Sequence, residues 1–170
     1  MCNLRFGNIY IKQGTGINIM SDFPFHKQET KYTCGAAAMR MALGFCDIKK
    51  SEKQVAKLLS TNKVRGTWHK SFPIVAEKFK LNYIAMRKAT IDDLKEYQKK
   101  GFAIITCYFY PPERVGHYSV LKKIDYKDIY FYDPFFGEEH KYSLSHFRKI
   151  WKSDPRYDNE KCWFFAVKKR

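Results

Sequence analysis

Between residues 34 and 100 the apolar positions recur at the three- and four-residue spacing of helices, and beyond residue 100 they alternate or run together as they do in strands. The stretch "CGAAAMRMALGF" carries Ala37, Ala38, Met41, Ala42 and Phe45, which predicts a helix from Cys34 to about Phe45. Ser51 followed by Gln54 is a capping box, in which each residue satisfies a backbone N–H of the other, and the helix behind it places Val55, Leu58 and Leu59 on one face. A third helix is predicted from near Ser71, with Phe72, Val75, Ala76 and Phe79 inward and Pro73 in the first turn, where a missing N–H costs nothing. "LNYIAMR" reads as a short strand, and Thr90 with Asp93 opens a fourth helix that stops at Gly101.

"FAIITCYF", "HYSVLKKI" and "DIYFYDP" are β-branched or aromatic runs separated by the turn sequences "PPERVG" and "DYKD". "EEHKYS" reads as a further strand, residues 144–151 as a short helix and "CWFFAVK" as a closing strand. Helices first and antiparallel strands afterwards predict an α+β domain, an N-terminal helical half packed on an antiparallel β-sheet. Residues 1–24 read as short strands around Gly7, Gly14 and Gly16 that end at Pro24, an N-terminal extension of uncertain role, leaving 25–170 as the main domain.

Composition narrows the class. A chain of 170 residues that is 45% hydrophobic and 17% aromatic has material for one well-filled core. No run approaches the roughly 18 uninterrupted apolar residues of a membrane span, and "MCNLRFGNIYIKQG" lacks a secretory signal, so the expected compartment is the cytoplasm. Five scattered cysteines, an odd number, read as reduced thiols. There is no Cys-x-x-Cys pair and no histidine pair at ligand spacing, so neither a metal nor an organic cofactor is expected. The +15 charge comes from lysine pairs spread along the chain, including Lys49–Lys50, Lys99–Lys100 and Lys122–Lys123. That spread reads as a solvated basic surface open to an acidic partner, with a dedicated nucleic-acid site disfavoured.

One feature is not explained by packing: "CG" at the mouth of the first helix. A thiol reacts as its thiolate, and the unpaired N–H groups and dipole of a helix's first turn stabilise that form. Cys34 is predicted there, although a core cysteine at a helix start fits its surroundings as well. Gln28, six residues upstream, can bring a side-chain amide beside the Cys34 N–H to form an oxyanion hole. His117 opens a strand on which it shares a face with Ser119 and Leu121, and Asp133 ends the next strand. If "DYKD" turns these strands into a hairpin, His117 and Asp133 meet at one edge of the sheet, where the carboxylate can orient the imidazole toward the thiol. Singly, Gln28 reads as a loop residue, His117 as a satisfied imidazole and Asp133 as a turn residue. Other candidates are weaker. His26 is a loop residue near Gln28; His69, His140 and His146 fall in basic, polar segments that predict exposure; Cys46, Cys107 and Cys162 lie in apolar or aromatic runs that predict core positions; and Cys2 lacks the sequence expected after an N-terminal nucleophile.

Taken together, Gln-x5-Cys-Gly-Ala before a small-apolar helix, Gly-His-aromatic-x-Val-Leu, and Asp-Pro-x-x-Gly resemble the double-glycine leader peptidase family, papain-like cysteine peptidases often found as the N-terminal domain of bacteriocin-exporting ABC transporters. The likeness runs from about Phe25 to Trp151 and includes "RGTW", the helix at Thr90–Lys100 and "YSLSHFRKIW". Many members carry an acidic residue before the Cys-Gly pair; Thr33 in its place points to the stand-alone C39-like branch. The resemblance implies a papain-like fold with Cys34 as nucleophile, His117 as base and then acid, Asp133 as orienting group and Gln28 as oxyanion donor. It implies a peptide or protein substrate, cut after small or Gly-Gly residues of a leader peptide. Acyl transfer to an amine, or binding of an acidic partner without catalysis, are the other functions open to such a chain.

Overall fold

The computed structural model describes residues 23–170, so the strands expected around Gly7, Gly14 and Gly16 lie outside the described residues. In chain order the elements are α1 (Cys34–Phe45), α2 (Glu52–Leu58), α3 (Ser71–Lys78), β1 (Asn82–Met86), α4 (Ile91–Lys99), β2 (Ala103–Tyr110), β3 (Val115–Ile124), β4 (Asp128–Asp133), β5 (Gly137–Ser143), α5 (Leu144–Ile150) and β6 (Phe164–Lys168). The helix ends follow local chemistry. Ser51 with Gln54 and Thr90 with Asp93 form complete capping boxes at α2 and α4, and Gly101 takes a φ of 78° just after α4, where a side chain would be strained.

Six strands form one sheet in the order β1-β6-β2-β3-β4-β5, with every described neighbour antiparallel. β6 closes the chain yet inserts between β1 and β2, so the sheet is complete only when residue 168 is in place. Successive residues of the central strands are apolar on both faces. Ile105, Cys107, Val120 and Phe165 pack under α1, α2 and α3, whereas Ile104, Tyr108, Leu121 and Phe164 pack under α4 and α5. The α+β architecture holds as expected, and helices cover both faces of the sheet. A strand apolar on both sides must be covered twice, because each large apolar side chain removed from water contributes about 1.5–3 kcal/mol.

Along α1, Cys34 to Met39 and Met41 to Leu43 are buried, and the helix lies on β2 and β3 against α2. Its small residues make that approach possible. The space at Gly35 is filled by the protein: a methyl group there would sit 2.6 Å from Thr67 Oγ1 and 2.7 Å from Thr67 Cβ. Thr67 is held in place, because its Oγ1 lies 2.7 Å from Thr61 Oγ1 and its carbonyl accepts a 2.8 Å hydrogen bond from Tyr118 Oη. Gly35→Ala is therefore expected to cost about 1–3 kcal/mol by overpacking, although alanine is the better helix former by about 1 kcal/mol. A urea midpoint at or above that of the parent would contradict this.

At the other end of α1, Phe23 stacks on Tyr132 with centroids 4.6 Å apart, and Pro24 sits under Gly44. Phe23, assigned above to the extension, is thus seated in the core. Among the described residues no helix is long and apolar enough to cross a membrane, and no group of three or more His, Cys, Asp or Glu is placed to hold a metal ion.

Candidate active site

Cys34 is the first residue of α1 and is buried apart from 9% of its surface. Threonine is a good capping type, but Thr33 makes no side-chain bond to the helix. Its Oγ1 accepts from Thr30 N and lies within 3.1 Å of the Thr30 carbonyl. The first-turn N–H groups of α1 therefore keep their positive end for whatever occupies the Cys34 position.

The β3–β4 hairpin turns at "DYKD" and pairs Val120 with Tyr132, which brings Asp133 to the end of β4 beside the start of β3. His117 lies on the part of β3 beyond that pairing. Its Nε2 is 3.0 Å from each carboxylate oxygen of Asp133, and the ring lines the same cleft as Cys34, near enough for the thiol to act on its charge. Burial works against a charged His117, but the bonds to Asp133 and Cys34 and their negative charges win, and its pKa is pushed up to about 10.

Asp133 is fully buried, and each of its oxygens is occupied. Phe135 N and Phe136 N each donate to Oδ1 at 2.8 Å, while Tyr108 Oη and Ser119 Oγ each donate to Oδ2 at 2.5 Å. Burial alone would raise its pKa; the hydrogen bond and charge of His117, helped by Ser119 and Tyr108, hold the carboxyl far below the usual range instead. Sequence reasoning did not single out Tyr108 and Ser119. Ser119 had a visible signal, two residues from His117 on the same strand face. Tyr108 had none until the register was known, since it is the direct cross-strand partner of His117.

Gln28 joins this group from the loop before α1. Its backbone N–H donates to Pro134 O at 2.9 Å, which ties the loop to the turn after Asp133, and its side chain lines the same cleft as Cys34 and His117. The amide Nε2 donates to Thr30 O at 2.7 Å, which uses one of its two N–H groups. Gln28, Cys34 and His117 thus line one cleft of about 580 Å³, and Asp133 lies buried behind His117. Val64, Val115, Phe135 and Phe136 line that cleft and are among the few large apolar residues left exposed.

The remaining candidates divide. His26 is partly buried and does not line the cleft; His146 is exposed, as expected. His69 contradicts its expected exposure: it is 4% exposed, stacked on Trp163 at 3.9 Å, with Nδ1 2.6 Å from Glu160 Oε2. Its partners lie about ninety residues away, out of reach of any local pattern. His140 is half-buried because its ring stacks on Phe136 at 4.5 Å. Cys46 and Cys107 are buried, Cys162 only partly, and Cys2 lies outside the described residues.

The sequence pattern of the Peptidase_C39 like family matches residues 20–158. Several solved structures share the fold. A protein described as a C39-like peptidase from Bacillus anthracis has a TM-score of 0.71 at 14% identity, covering 89% of this chain and 96% of its own. The peptidase domain of Streptococcus ComA, a bi-functional ABC transporter involved in a quorum-sensing pathway, has a TM-score of 0.70 at 17% identity, covering 87% and 99%. A double glycine motif protease from an AMS/PCAT transporter, solved in complex with the leader peptide, has a TM-score of 0.59 at 20% identity, covering 85% and 88%. No curated protein sequence matches the chain.

Proposed function

The chain belongs to the Peptidase_C39-like family, and from that premise we propose that it is a cysteine peptidase that hydrolyses a peptide amide bond through a thioacyl-enzyme intermediate. The observation that carries this reading is that Asp133 holds the His117 ring, and that ring shares one cleft with Cys34 at an uncapped helix start. A thiolate with an imidazolium beside it, the ring held by a carboxylate, is the arrangement that nucleophilic acyl chemistry needs.

In the acylation step the Cys34 sulfur forms a bond to the substrate carbonyl carbon, and the carbonyl electrons move onto oxygen. The Cys34 N–H and the free N–H of the Gln28 amide receive that oxyanion. As the tetrahedral centre collapses, the C–N bond breaks and His117 gives its proton to the leaving amine. Water then attacks the thioester with His117 as base, the S–C bond breaks, and the acid departs with Cys34 and His117 again a charged pair. Asp133 keeps the ring oriented through both steps.

A peptide substrate is supported by the leader peptide bound to the related transporter protease. We read the residues before the scissile bond as small, in keeping with the double-glycine resemblance. The test is incubation with a mixed peptide pool, an acid quench and mass spectrometry. New peptide termini are expected, together with an acyl adduct on the peptide containing Cys34. Cleavage with the adduct on another residue, or no cleavage of any peptide, would overturn the assignment.

A further inference from the structure

A second cavity, of about 730 Å³, adjoins the catalytic cleft and shares Trp68, Tyr157 and Asp158 with it. Asp158 stands where the two meet. Neighbouring carboxylates are accounted for: Asp154 holds Arg156, with Oδ2 2.6 Å from Nη2, and Glu160 holds Arg87 at 2.7 Å. Asp158 has no such partner. Among the described residues it pairs with no lysine or arginine, and its nearest donor is the backbone N–H of His69 at a long 3.4 Å. In a chain with 32 basic residues, that omission needs a reason.

His69 sharpens it. The proton on Nδ1 is fixed by Glu160 Oε2 at 2.6 Å, because a carboxylate can only accept. In the neutral ring Nε2 is then an acceptor as well. That atom is buried without a hydrogen-bond partner, on a side chain 4% exposed, and it faces Asp158 Oδ2 at 3.8 Å. Burial is the largest influence on the ring and favours its neutral form, against the pull of Asp158 and Glu160 toward the charged one. Two acceptors therefore face each other with no donor between them. None of the nearby cations pairs with it: Arg65 and Lys70 lie over the Trp68 ring at 5.0 and 5.5 Å, from where Lys70 acts on Asp158 only through its field, and Arg87 is on Glu160. A half-buried carboxylate left in that state is costly unless a cation arrives from outside.

We propose that Asp158 and His69 Nε2 form a substrate subsite that takes a lysine or arginine side chain of the peptide, the charged head donating to both acceptors beside Trp68 and Tyr157. The subsite rests on the peptidase reading and extends it to substrate choice: a cationic residue fixes the register of the peptide while the scissile bond lies at Cys34.

The test uses the full chain and N-acetylated, C-amidated peptides, so that only side chains bring positive charge. Each position in turn carries lysine, norleucine or glutamate, and relative kcat/KM is read by mass spectrometry in competition. At one position lysine is expected to exceed norleucine by about tenfold, with the ratio near one in Asp158→Asn. No position preferring lysine, or a preference that survives Asp158→Asn, overturns the subsite while leaving the peptidase reading intact. A second measurement needs no substrate: the rate of Cys34 alkylation by 2-bromoethylammonium relative to iodoacetamide. This ratio is expected to fall several-fold in Asp158→Asn, and an unchanged ratio overturns the subsite. If no peptide is cut, the peptidase reading fails and this ratio still decides the cation site. If Asp158→Asn does not fold, the lysine-to-norleucine ratio of the native chain decides it.

Discussion

Asp133→Ala is expected to cost the fold about 3–5 kcal/mol and to leave less than about a thousandth of the cleavage activity. The size of both effects follows from where the carboxylate sits. It is fully buried and receives hydrogen bonds from Tyr108, Ser119, Phe135 N and Phe136 N besides its pair with His117, so its removal strands four donors and a buried imidazolium. Each buried donor left without a partner costs about 1–3 kcal/mol before the site relaxes. The loss should depend on pH in a way that identifies its origin. Asp133, held below its ordinary 3.8, stabilises the fold above that pH and ceases to do so as pH falls; His117, raised from 6.5 to about 10, stabilises it below 6.5 and ceases to do so as pH rises toward 10. The stability gap between parent and variant is therefore widest between these two ordinary values. Urea unfolding at pH 3, about 5.5 and about 9.5 measures it, and a gap independent of pH would mean that the ion pair does not operate.

Cys34→Ala should separate chemistry from stability. Loss of the sulfur removes the attacking atom, and a fall of about 10⁵-fold or more in cleavage is expected, as when the nucleophile of an acyl-transfer enzyme is deleted. The fold should survive. Alanine fits the same first-turn position of a helix already lined with Ala36, Ala37 and Ala38, and the Asp133 network does not depend on the thiol. The variant should keep the parent's circular dichroism spectrum and a melting temperature within a few degrees of it. Cleavage at the parental rate would remove Cys34 from the mechanism, and loss of the fold would mean that its sulfur is structural.

Much of this architecture was legible because it rests on local rules. The capping boxes at Ser51 and Thr90, the stop at Gly101 and the "DYKD" hairpin are set by residues within a few positions of one another, and they fall where the periodicity puts them. The meeting of His117 with Asp133 followed from the hairpin alone, because antiparallel pairing puts the start of one strand beside the end of the next. What escaped the sequence depends on distant partners. Nothing near Gly35 says that Thr67 will be packed on it, nothing in the basic segment around His69 announces Trp163 and Glu160, and the service of Tyr108 to Asp133 requires the β2–β3 register. The covering of the sheet on both faces was implicit in the unbroken apolar run of β2, but the placing of α4 and α5 opposite α1 is a matter of topology.

The coupling of Cys34 to His117 is tested most directly by the pH dependence of iodoacetamide labelling at each cysteine, read by peptide mass spectrometry in the native chain and in His117→Ala. At pH 6 a free thiol, with a pKa of roughly 8.5, is almost wholly protonated and reacts slowly. Cys34 should nevertheless label at least about tenfold faster than Cys46, Cys107 or Cys162 at that pH, even though it is largely buried, and His117→Ala should abolish the difference. If Cys34 labels no faster than the other cysteines at pH 6, or keeps its advantage without His117, the thiolate–imidazolium pair does not exist in this protein.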